Sequence, residues 1–372
     1  MKASAKPGSN KPTMKAAILV RPGEVLPAEH VPIPRPSRGE LLVRVRAALT
    51  CGTDLKAIRR GHPMIPMPGP FGHEFAGVVA GAGSGVRGFK EGDVVMSVHS
   101  APCLKCAYCN KGLHNLCVNI MATKALGAFA EYIIIPAHVV RQNAFIKPKR
   151  LPFEHAALLE PLACVVHGVA IDSADKNKKV KPLRGLKGTS SLVIGAGPIG
   201  LMHVMLLSAM GAEVTIADHH ASRLAIAKKL GVALTVKLVR DDAEGNARRM
   251  KRAMKSATVG MGFDHVHECT GRPDVWERSI DYTRRGGTVT LFGGCPSGTR
   301  ACFDTHRLHY DEITLRGDFH FTPADVRVAY EMLAGGLEGA ELFISGAFPL
   351  EKIMSAFDLL VQGKGIKYAV LP

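Results

Sequence analysis

Two textures of hydrophobic and polar positions follow one another along the chain. From residue 15 to about 146 the apolar residues come in short runs, at 16–20, 41–47, 74–79, 93–98 and 131–135, broken by Gly and Pro. Runs of strand length between turn residues predict a compact all-β barrel or sandwich. From residue 191 the pattern changes. Apolar strand segments at 191–194, 213–217, 264–269, 287–292 and 312–317 now have longer helical stretches between them, such as 198–210 and 222–230. That alternation predicts a parallel sheet with helices on both faces. The C-terminal stretch is mixed, with helices expected at 323–334 and 351–362 and a last strand at 368–371.

Composition narrows the class. A chain of 372 residues exceeds one ordinary core and predicts two domains. Its 47% apolar and 22% charged residues are the balance of a globular protein. No run of about 18 apolar residues occurs, so no membrane span is expected. Residues 1–13 are polar and lack the apolar centre of a secretory signal, and are expected to form a disordered leader. The net charge of +16 could attract a polyanion. The basic runs at 175–187 and 248–255 carry no interleaved aromatics, however, so they read as solvated surface and nucleic acid is not expected as a partner. The lysine-rich stretch 172–188 reads as an exposed insertion between the two textures.

The first chemistry appears where the second texture begins. The strand at 191–194 runs directly into Gly195-Ala-Gly197-Pro198-Ile199-Gly200, and an apolar helix follows. Gly195 permits the tight turn, Gly197 lets the backbone approach a pyrophosphate, and Gly200 lets helix pack on strand. The free N–H groups and partial positive charge of the helix N-terminus then suit phosphate. Asp218 ends the next strand, 18 residues after Gly200. A carboxylate there accepts from an adenosine ribose and repels a 2′-phosphate, which favours NAD over NADP. Arg223, one turn into the following helix, could weaken that discrimination. The plainer alternative makes Asp218 a helix cap and Arg223 a surface charge.

Cysteine placement supplies the second signal. Nine cysteines occur, and Cys103, Cys106, Cys109 and Cys117 fall within fifteen residues at spacings of three, three and eight. Without an export signal such a cluster favours a metal over disulfides and a cytoplasmic location. Four thiolates close a tetrahedral zinc shell with no open position, so the predicted role is structural. A second set is dispersed: Cys51 after the strand at 41–47, His73 in Gly72-His-Glu74, and Glu160 in Glu160-Pro-Leu-Ala-Cys164. A thiolate, an imidazole and a carboxylate make a zinc shell with a free fourth position, as catalysis requires. Taken singly, Cys51 could be a small buried hydrophobe, His73 a satisfied core histidine and Glu160 a helix-end carboxylate.

These motifs, with Gly92-Asp93-Val and Gly127-Ala-Phe-Ala-Glu-Tyr132, give a chain that resembles the zinc-containing medium-chain dehydrogenases from Met14 to Pro372. It looks more like their sorbitol and threonine dehydrogenase branch than the ethanol branch. The resemblance implies an α/β protein: a GroES-like β-barrel catalytic domain (14–163), a Rossmann-type doubly wound nucleotide domain (164–320), and a C-terminal segment (321–372) that returns to the first domain. It implies two Zn²⁺ per chain, NAD as hydride acceptor, a small alcohol substrate and a homo-oligomer, dimer or tetramer. Cys51 and His73 match zinc ligands, and either Glu74 or Glu160 completes the shell. Asp54 matches a residue that orients the ligand histidine, Thr53 the hydroxyl that takes the substrate proton, and Lys367 a basic residue that reaches the cofactor pyrophosphate. Phe71 and Phe129 are candidates for shaping the pocket. Lys56 departs from the pattern, which has a histidine there to finish the proton relay. Two other readings remain on this fold: a zinc-free enone or quinone reductase, and a non-catalytic NAD-binding protein.

Overall fold

The computed structural model describes residues 12–170 and 185–372. The leader up to residue 11 and most of the insertion at 172–188 lie outside the described residues.

The first texture folds around the strand Leu41–Leu49, whose sequence reads its position directly. Arg44 and Arg46 point to solvent between buried Val43, Val45 and Ala47, and the last three residues are buried on both faces. Phe75–Ala82 pairs antiparallel along it, and Tyr132–Ile135 pairs with its first half. Lys367–Leu371 pairs with its far end, so the C-terminus closes onto this domain. Val94–Ser97 and Ala144–Ile146 extend the sheet beyond Phe75–Ala82. A separate sheet of Thr13–Arg21, Glu24–Pro32 and Gly69–Pro70 packs beside it.

The second texture folds as six parallel strands, in the order Leu234–Lys237, Glu213–Asp218, Ser190–Ile194, Phe263–Glu268, Thr283–Leu291, Thr314–Gly317. The chain starts in the middle, at Ser190–Ile194, and winds outward both ways. Its carboxyl end is therefore the switch point where such sheets leave a crevice for ligands. Four of the five residues of that strand are fully buried. The helix that follows, Pro198–Ala209, is buried on every side from Gly200 to Leu207. An all-round apolar helix belongs inside a protein, here against the joining helix Leu159–Ala170 and the sheet.

The two domains share that core. Residues of Leu159–Ala170, of the glycine-loop helix and of the C-terminal helix Pro323–Ala334 form one cluster with Leu49, Ala76, Met96 and Ala369 of the β-domain. Phe71 and Phe129, expected near the pocket, are instead fully buried. They pack edge to face at 4.9 Å with Phe357 against both, which makes them core of the β-domain. No helix among the described residues is long and apolar enough to cross a membrane.

Candidate active site

Sheet register brings the dispersed ligand candidates together. Leu41–Leu49 lies between Phe75–Ala82 and Lys367–Leu371, and its end is tied to both: Leu49 N–H donates to the Glu74 carbonyl at 2.9 Å and Thr50 N–H to the Tyr368 carbonyl at 3.0 Å. Cys51, Glu74 and Lys367 must then emerge at one place, although 316 positions separate the first from the last (367 − 51). Cys51 caps the helix Gly52–Arg60, its sulfur accepting from the Thr53 N–H at 3.4 Å. His73 follows Gly72, which has φ 88° and lies so close to the Phe129 ring that a Cβ would come within 2.6 Å of it. Only glycine turns the chain there without displacing the ring.

One ligand atom each of Cys51, His73 and Glu74 lies within 4.8 Å of the others. A thiolate, an imidazole and a carboxylate so gathered are a zinc donor set with room for another ligand. Asp54, fully buried, faces His73 Nδ1 at 3.3 Å. Burial alone would lower the His73 pKa, but Asp54 and Cys51 outweigh it and hold the pKa well above the usual range. Thr53 is half-buried on the first turn of the helix.

Lys367 does not reach out as a free cation for a pyrophosphate. It is buried, and its ammonium spans both oxygens of Glu74, at 2.7 and 2.6 Å, and donates to the Thr50 carbonyl at 3.0 Å. An ammonium has three N–H groups, and these three acceptors account for them. Burial works against the charge on Lys367, yet Glu74 holds its pKa above the ordinary value.

Glu160 stands in a different group. It heads the helix Leu159–Ala170 with Oε1 3.2 Å from His99 Nδ1, and its ligand atom clusters with those of His99 and His320. Burial opposes its ionisation, but the hydrogen bond and charge of His99 prevail and hold the carboxyl down at about 2. His99 and His320 were not singled out from sequence. The cue would have been a histidine beside a serine just ahead of the cysteine cluster, and another between Phe319 and Phe321.

The four-cysteine segment folds as its spacing requires: one sulfur each of Cys103, Cys106, Cys109 and Cys117 lies within 4.8 Å of the others. Backbone N–H groups of Cys109 and Val118 bring the Cys106 thiol down to about 6. Burial pushes Cys109 up to about 12. A thiolate there needs a counter-charge, which a divalent ion would supply.

The nucleotide crevice follows the fingerprint. Gly195 has φ 104°, and a Cβ on Gly200 would fall 1.8 Å from the Gly195 carbonyl, whereas one on Gly197 would meet nothing. The loop is thus closed on its protein side and open where a phosphate would lie, with Pro198 and Ile199 starting the helix. Asp218 Oδ2 accepts from Ala196 N–H at 2.7 Å, and Oδ1 from the N–H and ring of His220 at 2.6 and 3.0 Å. It therefore braces the loop and keeps about one of its four acceptor sites for a ribose. Beyond it opens a cleft of about 940 Å³ lined by Gly195, Asp218, His219, Arg240, Thr270 and Arg272, among others. Arg223 is not among its lining residues, and Arg240 and Arg272 supply positive charge there instead. Across the domain boundary, Lys56 donates to the Gly294 carbonyl at 3.4 Å, just past the strand Thr283–Leu291.

Known proteins agree with this geometry. Residues 37–144 match the alcohol dehydrogenase GroES-like domain and residues 198–335 the zinc-binding dehydrogenase domain. The chain is 31% identical to sorbitol dehydrogenase of Bacillus subtilis, over 96% of this chain and 97% of that one. It is 33% identical to D-altritol 5-dehydrogenase of Agrobacterium fabrum, over 92% and 95%. A zinc-binding dehydrogenase of Sinorhizobium meliloti, solved with NADP, superposes with a TM-score of 0.81 at 30% identity, over 97% of this chain and all of that one. The chain belongs to the zinc-type medium-chain dehydrogenases, in the branch that holds the sorbitol and threonine dehydrogenases. It is an oxidoreductase of the alcohol dehydrogenase class.

Proposed function

We propose that the chain oxidises a small polyol, amino-alcohol or secondary alcohol to the carbonyl compound, with NAD as hydride acceptor and two Zn²⁺ per chain. The carrying observation is the convergence of Cys51, His73 and Glu74, on a segment whose Lys56 reaches the end of a nucleotide-sheet strand. These three residues would hold the catalytic ion, with Glu74 rather than Glu160 as its carboxylate. Cys103, Cys106, Cys109 and Cys117 would hold the structural one. Bound zinc supplies Lewis acidity that lowers the pKa of an alcohol hydroxyl.

The remaining roles belong to the chain itself. Asp54 fixes the ring of His73 and its tautomer. The Thr53 hydroxyl takes the substrate proton. Lys56, an ammonium donating to Gly294, cannot accept it, so water carries it to solvent. Lys367 holds Glu74 in place. The glycine loop binds the pyrophosphate, and Asp218 keeps an acceptor for the ribose, which favours NAD. Arg240 and Arg272 on the cleft wall, and the NADP in the S. meliloti relative, favour use of NADP as a second cofactor.

Nine cysteines, none of them in a disulfide, suit a reducing compartment, so we place the protein in the cytoplasm. The outer edge of Thr314–Gly317 has no strand partner among the described residues, which suits a dimer or tetramer.

The test is an alcohol panel read by NADH and NADPH formation, beside metal quantification. NADH formation with two zinc ions per chain is expected. One zinc or none, with NADPH-dependent enone reduction, would favour a zinc-free reductase. Cofactor binding without turnover would favour a non-catalytic protein.

A further inference from the structure

The helix Ala243–Thr258 begins at the cofactor cleft, which Asp242, Asn246 and Met250 help to line. It ends at the amino edge of the sheet, in the turn that leads into Phe263–Glu268. Met250 and Ala253 fix one face of it to a core that includes Leu192, Val236 and Val266. The other face is exposed and its charge is of one sign. Arg248, Lys251, Arg252 and Lys255 recur there at helical spacing, and no Asp or Glu occurs from 245 to 263. Arg248 reaches Glu244 at 3.5 Å, whereas Lys251, Arg252 and Lys255 pair with no carboxylate among the described residues.

The turn that follows is as unusual as the stripe. Val259 and Met261 are 89% and 72% exposed, more than any other large apolar side chain among the described residues. Val259 also has φ 53°, a left-handed position at a helix end that glycine normally takes. For a β-branched residue it is strained, and such strain collects at functional sites. The chain thus bears a conformational cost at a side chain that touches almost nothing of its own fold.

We propose that this end of the helix docks on an anionic membrane surface, with Val259 and Met261 inserted among the lipid chains and Arg248, Lys251, Arg252 and Lys255 against the headgroups. Lys251, Lys255 and Val259 follow one another at intervals of four, so charge and tip share a face. From Arg248 to Val259 the stripe is about 16 Å long at the helical rise. Lys and Arg stems lie along apolar surface while their charged ends stay with the phosphates. Each basic group held near anionic lipid adds an attraction that falls off within a Debye length. On a nucleic acid the apolar tip would have no role, and the stripe carries no aromatic ring on which a base could stack. Two nearly bare side chains on a turn also lack the packed apolar core of a protein interface. The cofactor cleft opens at the opposite end of the sheet, so docking leaves it accessible. Neither zinc nor the alcohol takes part in this contact, which stands apart from the dehydrogenase reading.

The experiment is co-sedimentation of the full chain with vesicles of phosphatidylcholine, alone or mixed with phosphatidylglycerol, in about 0.15 M salt. The mixed vesicles should bind it about tenfold more tightly or better. Lys251→Gln combined with Lys255→Gln should weaken that binding by about tenfold. Met261→Ser should weaken it by about fivefold. Val259→Gly should weaken it too, yet leave the melting temperature level or higher, because glycine takes a positive φ without strain. No binding to either vesicle, or equal binding to both, would overturn the proposal. So would binding that survives Met261→Ser and Val259→Gly undiminished, which would be attraction by charge alone. Tighter binding to duplex DNA than to the mixed vesicles would make the stripe a nucleic-acid face, and self-association that Met261→Ser abolishes would make it a contact between copies of the chain. Either result would equally overturn it.

Discussion

The four-cysteine lobe and the Cys51 site are both thiol-bearing metal candidates, but they are assembled differently. The lobe draws every donor from fifteen consecutive residues, and among the described residues only Ile120 and Met121 join the cysteines in its small apolar cluster. The Cys51 site draws on residues from 51 to 74, is held by a lysine at 367, and lies against the main sheet. In the lobe, a bound metal and its sulfur ligands would have to stand in for a hydrophobic core. At the Cys51 site the fold exists first and holds the donors in place. Losing the metal should therefore be a stability event at one site and a chemical event at the other.

The largest expected effect tests that division directly. Cys51→Ser should reduce turnover to background and remove one zinc, with NAD affinity and melting temperature close to those of the parent. A variant that kept full activity would remove Cys51 from the metal shell. Cys106→Ala should act in the opposite way. Tm should fall by about 5–10 °C, the response to roughly 2–3 kcal/mol in a domain of this size, while turnover per folded molecule stays near normal. A Cys106→Ala protein that melts normally but is inactive would reverse the roles assigned to the two sites.

A third change probes a contact of intermediate range. Asp218 is 22 residues from its loop partner Ala196. Asp218→Ala should lower the NAD-to-NADP ratio of kcat/KM by about tenfold, the value of roughly one lost hydrogen bond to a charged group. An unchanged ratio would leave Asp218 as a brace for the loop and nothing more.

The smallest effect concerns the long-range contacts that hold the outgoing and returning chain segments together. His167, on the joining helix, meets Asp325 at 2.8 Å and Asp318 at 3.7 Å. Burial lowers its pKa, but Asp325 and Asp318 outweigh that and raise it. A histidine raised in the folded state contributes stability that is fully present below its unfolded pKa of about 6.5 and is lost as pH rises through the folded value. Denaturant titrations of the parent and His167→Gln should differ by about 1 kcal/mol in mildly acid solution and converge in alkaline solution. A difference independent of pH would remove the ion pair from the account.

How much of this was legible varied with the physics of each element. The strand Leu41–Leu49 could be placed because burial imposes a period on its residues, and the helix Pro198–Ala209 because it follows the glycine fingerprint as a continuous apolar run. The strand Glu24–Pro32 carries no such signal, since it is largely exposed and only its pairing with Thr13–Arg21 makes it a strand. The helix Ala243–Thr258 hid behind its charge. Its arginines and lysines read as a basic run, and only Gly245, Met250, Ala253 and Thr258 are buried. Phe71 and Phe129 misled for the converse reason: a large aromatic near a ligand motif can equally be core, and composition does not distinguish the two.

Two motifs were determined by the sequence alone: the glycine loop with its aspartate, and the four-cysteine lobe. Their parts are close along the chain, so spacing stands in for distance. Tertiary structure alone decided that Glu74 joins Cys51 and His73, that Glu160 joins His99 and His320, and that Lys367 serves the carboxylate rather than a phosphate. Those partners meet through strand register and helix packing, over separations that run from 22 residues between Cys51 and His73 to 293 between Glu74 and Lys367, and such contacts leave no periodicity or spacing to read.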